Sequence, residues 1–326
     1  METSLAERIA AWVGPGTAIQ ALAGGASPRT YWRVRPGQGH AQTASRVVMA
    51  LPDDPFKPDE AAAAPSATHE LPWVAMARAL AERGVPVPVV ERVDLAAGFL
   101  LIEDLGDLRF FDIVKDLSGP ARLHHYRDAV ALLRRFQTAT AGMTVPATFG
   151  PDHMHAELDE FRQMALEARL GITLSAGERQ LLDRVGADLV RRLDALPRVL
   201  AHRDFQSQNL MATGRGLVLI DFQDAFMAPA VYDAVALLRD SYVVLGDAEL
   251  DALLALAEVD RDAFHLQTIQ RKLKDSGRFE TLARKGKRHF LAYFADSIGY
   301  VVHALRVTGL YPDLLDLLQT RLPEAR

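Results

Sequence analysis

At 326 residues, 49% hydrophobic and 24% charged, with a formal charge of −5, the chain is long enough for two lobes and too apolar for disorder. That charge also leaves no basic surplus with which to neutralise a nucleic-acid backbone. The absence of cysteine removes disulfides, thiolate metal sites and thiol nucleophiles.

The first hundred residues read as a small mixed lobe. Apolar positions at helical spacing predict a helix over Leu5 to Val13, stopped by Gly14-Pro15-Gly16. A Gly-rich turn, Gly24 to Arg29, leads into a strand at Tyr31 to Val34. Gly37-Gln38-Gly39 has the composition of a hairpin turn, and Arg46 to Leu51 of the next strand. Pro52 to Pro65 suits a loop. A helix follows from about His69 to Arg83, and Val85 to Val90 and Phe99 to Ile102 are extended runs. From Asp104 the pattern turns helical: Arg122 to Thr140, Ala156 to Arg169, and Ser175 to Leu196, the last with a capping box from Ser175 to Glu178. One β-rich island, Arg198 to Asp221, interrupts the helices, with a turn at Thr213 to Gly216.

The N-terminal residues mix Glu2, Glu7 and Arg8 with apolar ones, unlike a signal peptide, and no run approaches the ~20 apolar residues of a membrane span. The expectation is a cytoplasmic enzyme without nucleic-acid or membrane partners, monomeric by default.

The island carries the chemistry. It reads His202-Arg203-Asp204, four residues, Asn209, then a hairpin returning to Asp221-Phe222-Gln223-Asp224. Phosphoryl transfer needs the phosphates fixed, their charge neutralised and the attacking hydroxyl oriented. Asp204, on a loop leaving a short strand, suits the role of base. Asn209 and Asp221 are hard oxygen donors of the kind Mg²⁺ requires, and the hairpin would set them side by side. The chain holds six lysines against 31 arginines, and Asn209 is its single asparagine. An asparagine kept at the metal position against such scarcity strengthens the reading.

This pattern resembles the catalytic loop and metal-binding Asp-Phe pair of protein kinases and their metabolite-kinase relatives. Phe222-Gln223-Asp224, where protein kinases have Phe-Gly, makes it more similar to the aminoglycoside-phosphotransferase superfamily. Within that superfamily, Ala201 to Met211, Ile220 to Ala225, Pro229 to Asp240, Ala26 to Arg33, Gly98 to Gly106 and Ile269 to Lys274 resemble the anomeric kinases of N-acetylmuramate and N-acetylglucosamine, which act in bacterial cell-wall sugar recycling. The resemblance implies an α+β, two-lobed, protein-kinase-like fold. Residues 1–103 would form a nucleotide-binding lobe and 104–326 a catalytic and substrate-binding lobe. It implies ATP and Mg²⁺ as cofactors and a sugar as acceptor, phosphorylated at its anomeric hydroxyl. A kinase of another small molecule (aminoglycoside, choline or homoserine) and a nucleotide-binding regulatory module without turnover are the competing readings.

The resemblance further implies a phosphate turn at Gly24 to Arg29, with Gly25 and Ser27 as donors and Arg29 or Arg33 as cations. An ordinary hairpin turn is the alternative there. The Glu103 carbonyl and Leu105 amide would meet adenine. The lysine that protein kinases carry on the third strand is missing from Val47 to Leu51, and Arg29, Arg33 or Arg46 would replace its charge. Asp224 would touch a second Mg²⁺ or a substrate hydroxyl, or serve as a cap. Arg271 and Lys274, about one helical turn apart, would meet the lactyl carboxylate of N-acetylmuramate or form a solvated basic face. Asp233 reads as a helix N-cap, and His153 and His155 as solvated.

Overall fold

The structure, a computed structural model, describes residues 4–22, 29–36, 44–52, 54 and 70–326. The expected turn at Gly37 to Gly39, most of the Pro52 to Pro65 loop, and Gly25 and Ser27 lie outside the described residues. The chain divides into two units, Met1–Phe110 with Asn209–Asp224, and Phe111–Gln208 with Ala225–Arg326.

The first unit is built on an antiparallel sheet ordered β1 (Ala18–Ala21), β2 (Thr30–Arg35), β3 (Arg46–Ala50), β5 (Phe99–Glu103) and β4 (Val90–Asp94). Alternation along the strands puts Val34, Val48, Ala50 and Phe99 on one face, where α1 (Leu5–Val13) covers them with Ile9. Strand β1 was not predicted; it is short and exposed, and only pairing with β2 makes it a strand. The extended run at Val85 to Val90 joins the sheet only from Val90, because Pro86 and Pro88 have no amide to offer a ladder. Helix α2 (Pro72–Glu82) buries Trp73, Ala77 and Leu80. The hairpin of β7 (Leu210–Thr213) and β8 (Gly216–Leu219) belongs to this unit, held by Ala212 donating to the Leu108 carbonyl and Leu219 to the Pro86 carbonyl, both at 2.8 Å.

The second unit is mostly helical. Helix α3 (Phe110–Val114) leads into it, followed by α4 (Gly119–Ala139), α5 (Pro151–Glu160), α6 (Ala176–Asp194), α7 (Tyr232–Leu238), α8 (Asp247–Ala257), α9 (Arg261–Arg284), α10 (Phe294–Thr308) and α11 (Pro312–Arg321). A two-stranded ladder of β6 (Arg198–Ala201) and β9 (Phe226–Pro229) crosses it. The Ser175–Glu178 capping box forms as predicted. The helix expected over Ala156 to Arg169 is instead α5 followed by a π-helical stretch, Phe161–Ala168. Helix α9 runs through the middle of the unit, burying Phe264, Ile269 and Leu273 together with His265, Gln267, Gln270, Arg271 and Lys272. So many polar groups inside a core demand partners, and Arg271 finds its partners on the loop that follows β6.

Candidate active site

In the first unit, the β7–β8 ladder ends at the pair Leu210 and Leu219, and beyond it the Ile220 amide donates to the Asn209 carbonyl at 3.0 Å. Asn209 and Asp221 therefore flank the same end of one hairpin, as its length predicts. Asp221 adopts a left-handed backbone, φ 66°. A non-glycine residue there carries strain of about 1–3 kcal/mol. The next residue anchors it: Phe222 is fully buried with its ring 5.3 Å from that of Trp73 on α2. Gln223 donates from Nε2 to Asp221 Oδ1 and Asp224 Oδ2, each at 3.0 Å. A carboxylate and a carboxamide side by side fit Mg²⁺, which takes few protein oxygens and fills its shell with water and phosphate. Among the described residues no three His, Cys, Asp or Glu side chains gather to hold an ion by themselves.

In the second unit, β6 delivers the chain to His202-Arg203-Asp204. Arg203 also has a left-handed backbone, φ 82°, and both of its backbone polar groups are held by side chains. Its amide donates to Asp233 Oδ1 at 3.0 Å, beside that of His202 to Asp233 Oδ2 at 2.6 Å. Its carbonyl accepts Arg271 Nη1 at 2.9 Å. Further along, the Ser207 amide donates to Asp240 Oδ2 at 2.9 Å. Arg271 Nη2 lies 3.2 Å from Asp204 Oδ1, with the Arg271 side chain 4% and that of Asp204 38% exposed. Burial pushes the Asp204 carboxyl up, but Arg271 foremost, then Lys274 and Arg203, outweigh it and leave it below the ordinary aspartate value. Asp204 is thus an ionised, half-accessible acceptor on an immobilised loop.

Three expectations change here. Arg271 is not on a solvated face; it is buried against the Arg203–Asp204 loop, its guanidinium carbon 4.9 Å from the ring centroid of Tyr232. Asp233 does not cap α7, whose N-cap is Val231; it binds the loop amides. Lys274 pairs with Asp275 at 3.5 Å and is only 18% exposed. His153 is likewise not free in solvent: Nε2 lies 3.4 Å from Glu157 Oε1. Asp233 and Asp240 were legible in principle, since two carboxylates inside the apolar run Tyr232 to Asp240 can be buried only with donors to bind.

In the first unit, Glu103, Asp104, Leu105 and Gly106 line a cavity of ≈ 500 Å³ together with Ala212 to Arg215 of the hairpin turn. The Glu103 side chain is occupied by the Val89 amide at 3.1 Å and Arg215 Nη2 at 2.6 Å. The arginines expected to bind phosphate separate by face. Arg46 shares the α1-covered face with Val48 and pairs with Glu91. Arg33 faces the other way but is taken up by Asp104 in a two-point pair, Nε–Oδ2 2.7 Å and Nη2–Oδ1 2.9 Å, and by Asp107. With two carboxylates on it, Arg33 braces β2 to the segment after β5 and brings no surplus positive charge. Arg29, 8% exposed, directly precedes β2.

The phosphotransferase enzyme family model matches residues 18–266. The N-acetylmuramate/N-acetylglucosamine kinase of Pseudomonas putida is 28% identical over 319 residues, 93% of this chain and 87% of that one. The protein of the same name from Neisseria meningitidis serogroup B is 30% identical, over 72% of this chain and 74% of its own. Among solved structures, choline kinase LicA from Streptococcus pneumoniae superposes with a TM-score of 0.59 at 15% identity, covering 88% of this chain and 93% of its own. Aminoglycoside phosphotransferase APH(4)-Ia, in a ternary complex with ADP and hygromycin B, gives 0.55 at 14% identity, covering 87% and 93%. These likenesses bear out the expected kinase-like fold. Since the matched residues run from the five-stranded sheet through the His202–Asp224 segment and into α9, the chain belongs to the phosphotransferase enzyme family.

Proposed function

We propose that this protein transfers the γ-phosphate of ATP to the anomeric hydroxyl of N-acetylmuramate or N-acetylglucosamine, giving the sugar 1-phosphate and ADP, in the cytoplasm. The observation that carries the reading is the Asp204 carboxylate with Arg271 Nη2 3.2 Å from its Oδ1, in surroundings that hold it below the ordinary aspartate value. Such a carboxylate is a weak base, and a weak base is adequate only for an acidic hydroxyl. A hemiacetal hydroxyl is more acidic than an ordinary alcohol. Cations around the base also disfavour a polycationic aminoglycoside as acceptor.

In this mechanism Asp204 accepts the hydrogen bond of the acceptor hydroxyl and takes its proton as the oxygen bonds to phosphorus and the bond to the ADP oxygen breaks. Asn209 and Asp221 would hold Mg²⁺, which neutralises phosphate charge when bound. Asp224 would reach the acceptor or a second ion. Arg29, with Gly25 and Ser27, would bind phosphate, and the Glu103 carbonyl and Leu105 amide the adenine. Residues 1–103 would thus serve mainly the nucleotide, joined by Leu105 and the Mg²⁺ pair, and residues 104–326 otherwise catalysis and the acceptor. Lys274 would meet the carboxylate of N-acetylmuramate.

ADP release on mixing the protein with ATP, Mg²⁺ and a panel of acceptors tests the reading. Release dependent on either amino sugar supports it. Release with choline, homoserine or an aminoglycoside instead, or with none, overturns it.

A further inference from the structure

We propose that Arg271 is a positioning residue for the catalytic carboxylate and not a ligand of the acceptor. The inference rests on Asp204 being the base. Arg203 is bent into a left-handed conformation, which the chain leaves unless its surroundings over-determine it. Asp233 holds the amide side of that residue and Arg271 the carbonyl side, Nη1 to O at 2.9 Å. The same guanidinium reaches Asp204 Oδ1 through Nη2 at 3.2 Å. One rigid planar fork therefore spans the strained peptide and the reactive carboxylate, and fixes the distance between them.

The guanidinium is itself fixed. Arg271 is 3% exposed and seated on the ring of Tyr232, which is 1% exposed. Its position on α9, a 24-residue helix, ties the loop to the longest rigid element of its unit. A side chain so buried offers almost no surface to a solute. It also places a positive charge 3.2 Å from the carboxylate oxygen. An acceptor carrying a carboxylate is accordingly left to Lys274.

Steady-state kinetics with two acceptors, N-acetylmuramate with its carboxylate and uncharged N-acetylglucosamine, separate the roles in Arg271→Met, Arg271→Lys and Asp204→Asn. For a positioning residue, Arg271→Met lowers kcat about 10- to 100-fold on both acceptors while either KM moves less than about threefold, the scale of a small misplacement of a reacting group. Arg271→Lys, keeping the charge and one donor, recovers part of the loss. A rise in KM for N-acetylmuramate alone, with kcat retained, makes Arg271 a carboxylate ligand and overturns the proposal. Unchanged kcat on both acceptors overturns it too. If Arg271→Met does not fold, Arg271→Lys decides by the same split. Asp204→Asn separates the two failures. Retained turnover in that variant removes the base assignment, whereas an inactive Asp204→Asn beside a fully active Arg271→Met removes only the present inference.

Discussion

The Asp233 carboxylate accepts the backbone amide of His202 at 2.6 Å inside the core of the helical unit, and takes that of Arg203 with its other oxygen at 3.0 Å. Two charge-assisted bonds from one side chain thereby set the backbone that presents Asp204.

Asp233→Asn keeps the shape but turns one acceptor into a donor facing an N–H. A buried amide left without its acceptor costs about 1–3 kcal/mol, and the released loop lowers turnover. Chemical denaturation and steady-state kinetics on the same variant should both move. Wild-type kcat in a folded Asp233→Asn protein would show that the loop keeps its place by other contacts.

Asp221→Ala removes the only carboxylate of the proposed Mg²⁺ pair. Calorimetric titration with ATP should show the Mg²⁺-dependent part of the affinity lost by at least about tenfold, with metal-free binding nearly unchanged. Equal losses in both conditions would point to damage of the hairpin, and unaltered binding in both would remove Asp221 from the metal role.

Gly277 on α9 lies so close to the π-helical stretch that a Cβ there would sit 2.8 Å from the Phe161 Cα and backbone N and 2.9 Å from the Glu160 carbonyl carbon. These are backbone atoms and cannot swing away. Gly277→Ala should destabilise by about 1–3 kcal/mol, as overpacking does, lowering the melting temperature by several degrees. Gly214, on the hairpin turn with open space around its Cβ position, is the control and should tolerate alanine far better. Equal melting temperatures for the two variants would refute the close-packing argument.

His265 on α9 is 4% exposed, and its burial, then the neighbouring Arg239, depress the imidazole to about 4. The folded protein holds it neutral where the unfolded chain, with a value near 6.5, already binds a proton. Its contribution is complete above about pH 6.5 and lost as pH falls towards 4, by up to about 3 kcal/mol. Urea denaturation at pH 7.5 and 5 should give a larger loss for the wild type than for His265→Gln. The same loss in both would mean that His265 takes no part in the acid limb.

What was legible in the sequence was whatever is encoded locally. The spacing from His202 to Asn209, the hairpin back to Asp221, the Ser175–Glu178 box and the ends of α1 all depend on residues within a few positions of one another, so short-range geometry determines them. The kinase-like reading followed from that. Tertiary structure decided the rest. Strands β1 and β9 exist through ladder partners supplied elsewhere in the chain. Arg33 was read as a phosphate cation until Asp104 and Asp107, 71 and 74 residues away, neutralised it. Arg271, read as a ligand of the acceptor or part of a solvated face, turns out not to be solvated: it is buried against a peptide 68 residues earlier in the chain. A buried charge is defined by the partner that compensates its desolvation; when that partner is distant in sequence, periodicity and spacing carry no trace of the pairing, and only the folded chain reveals it.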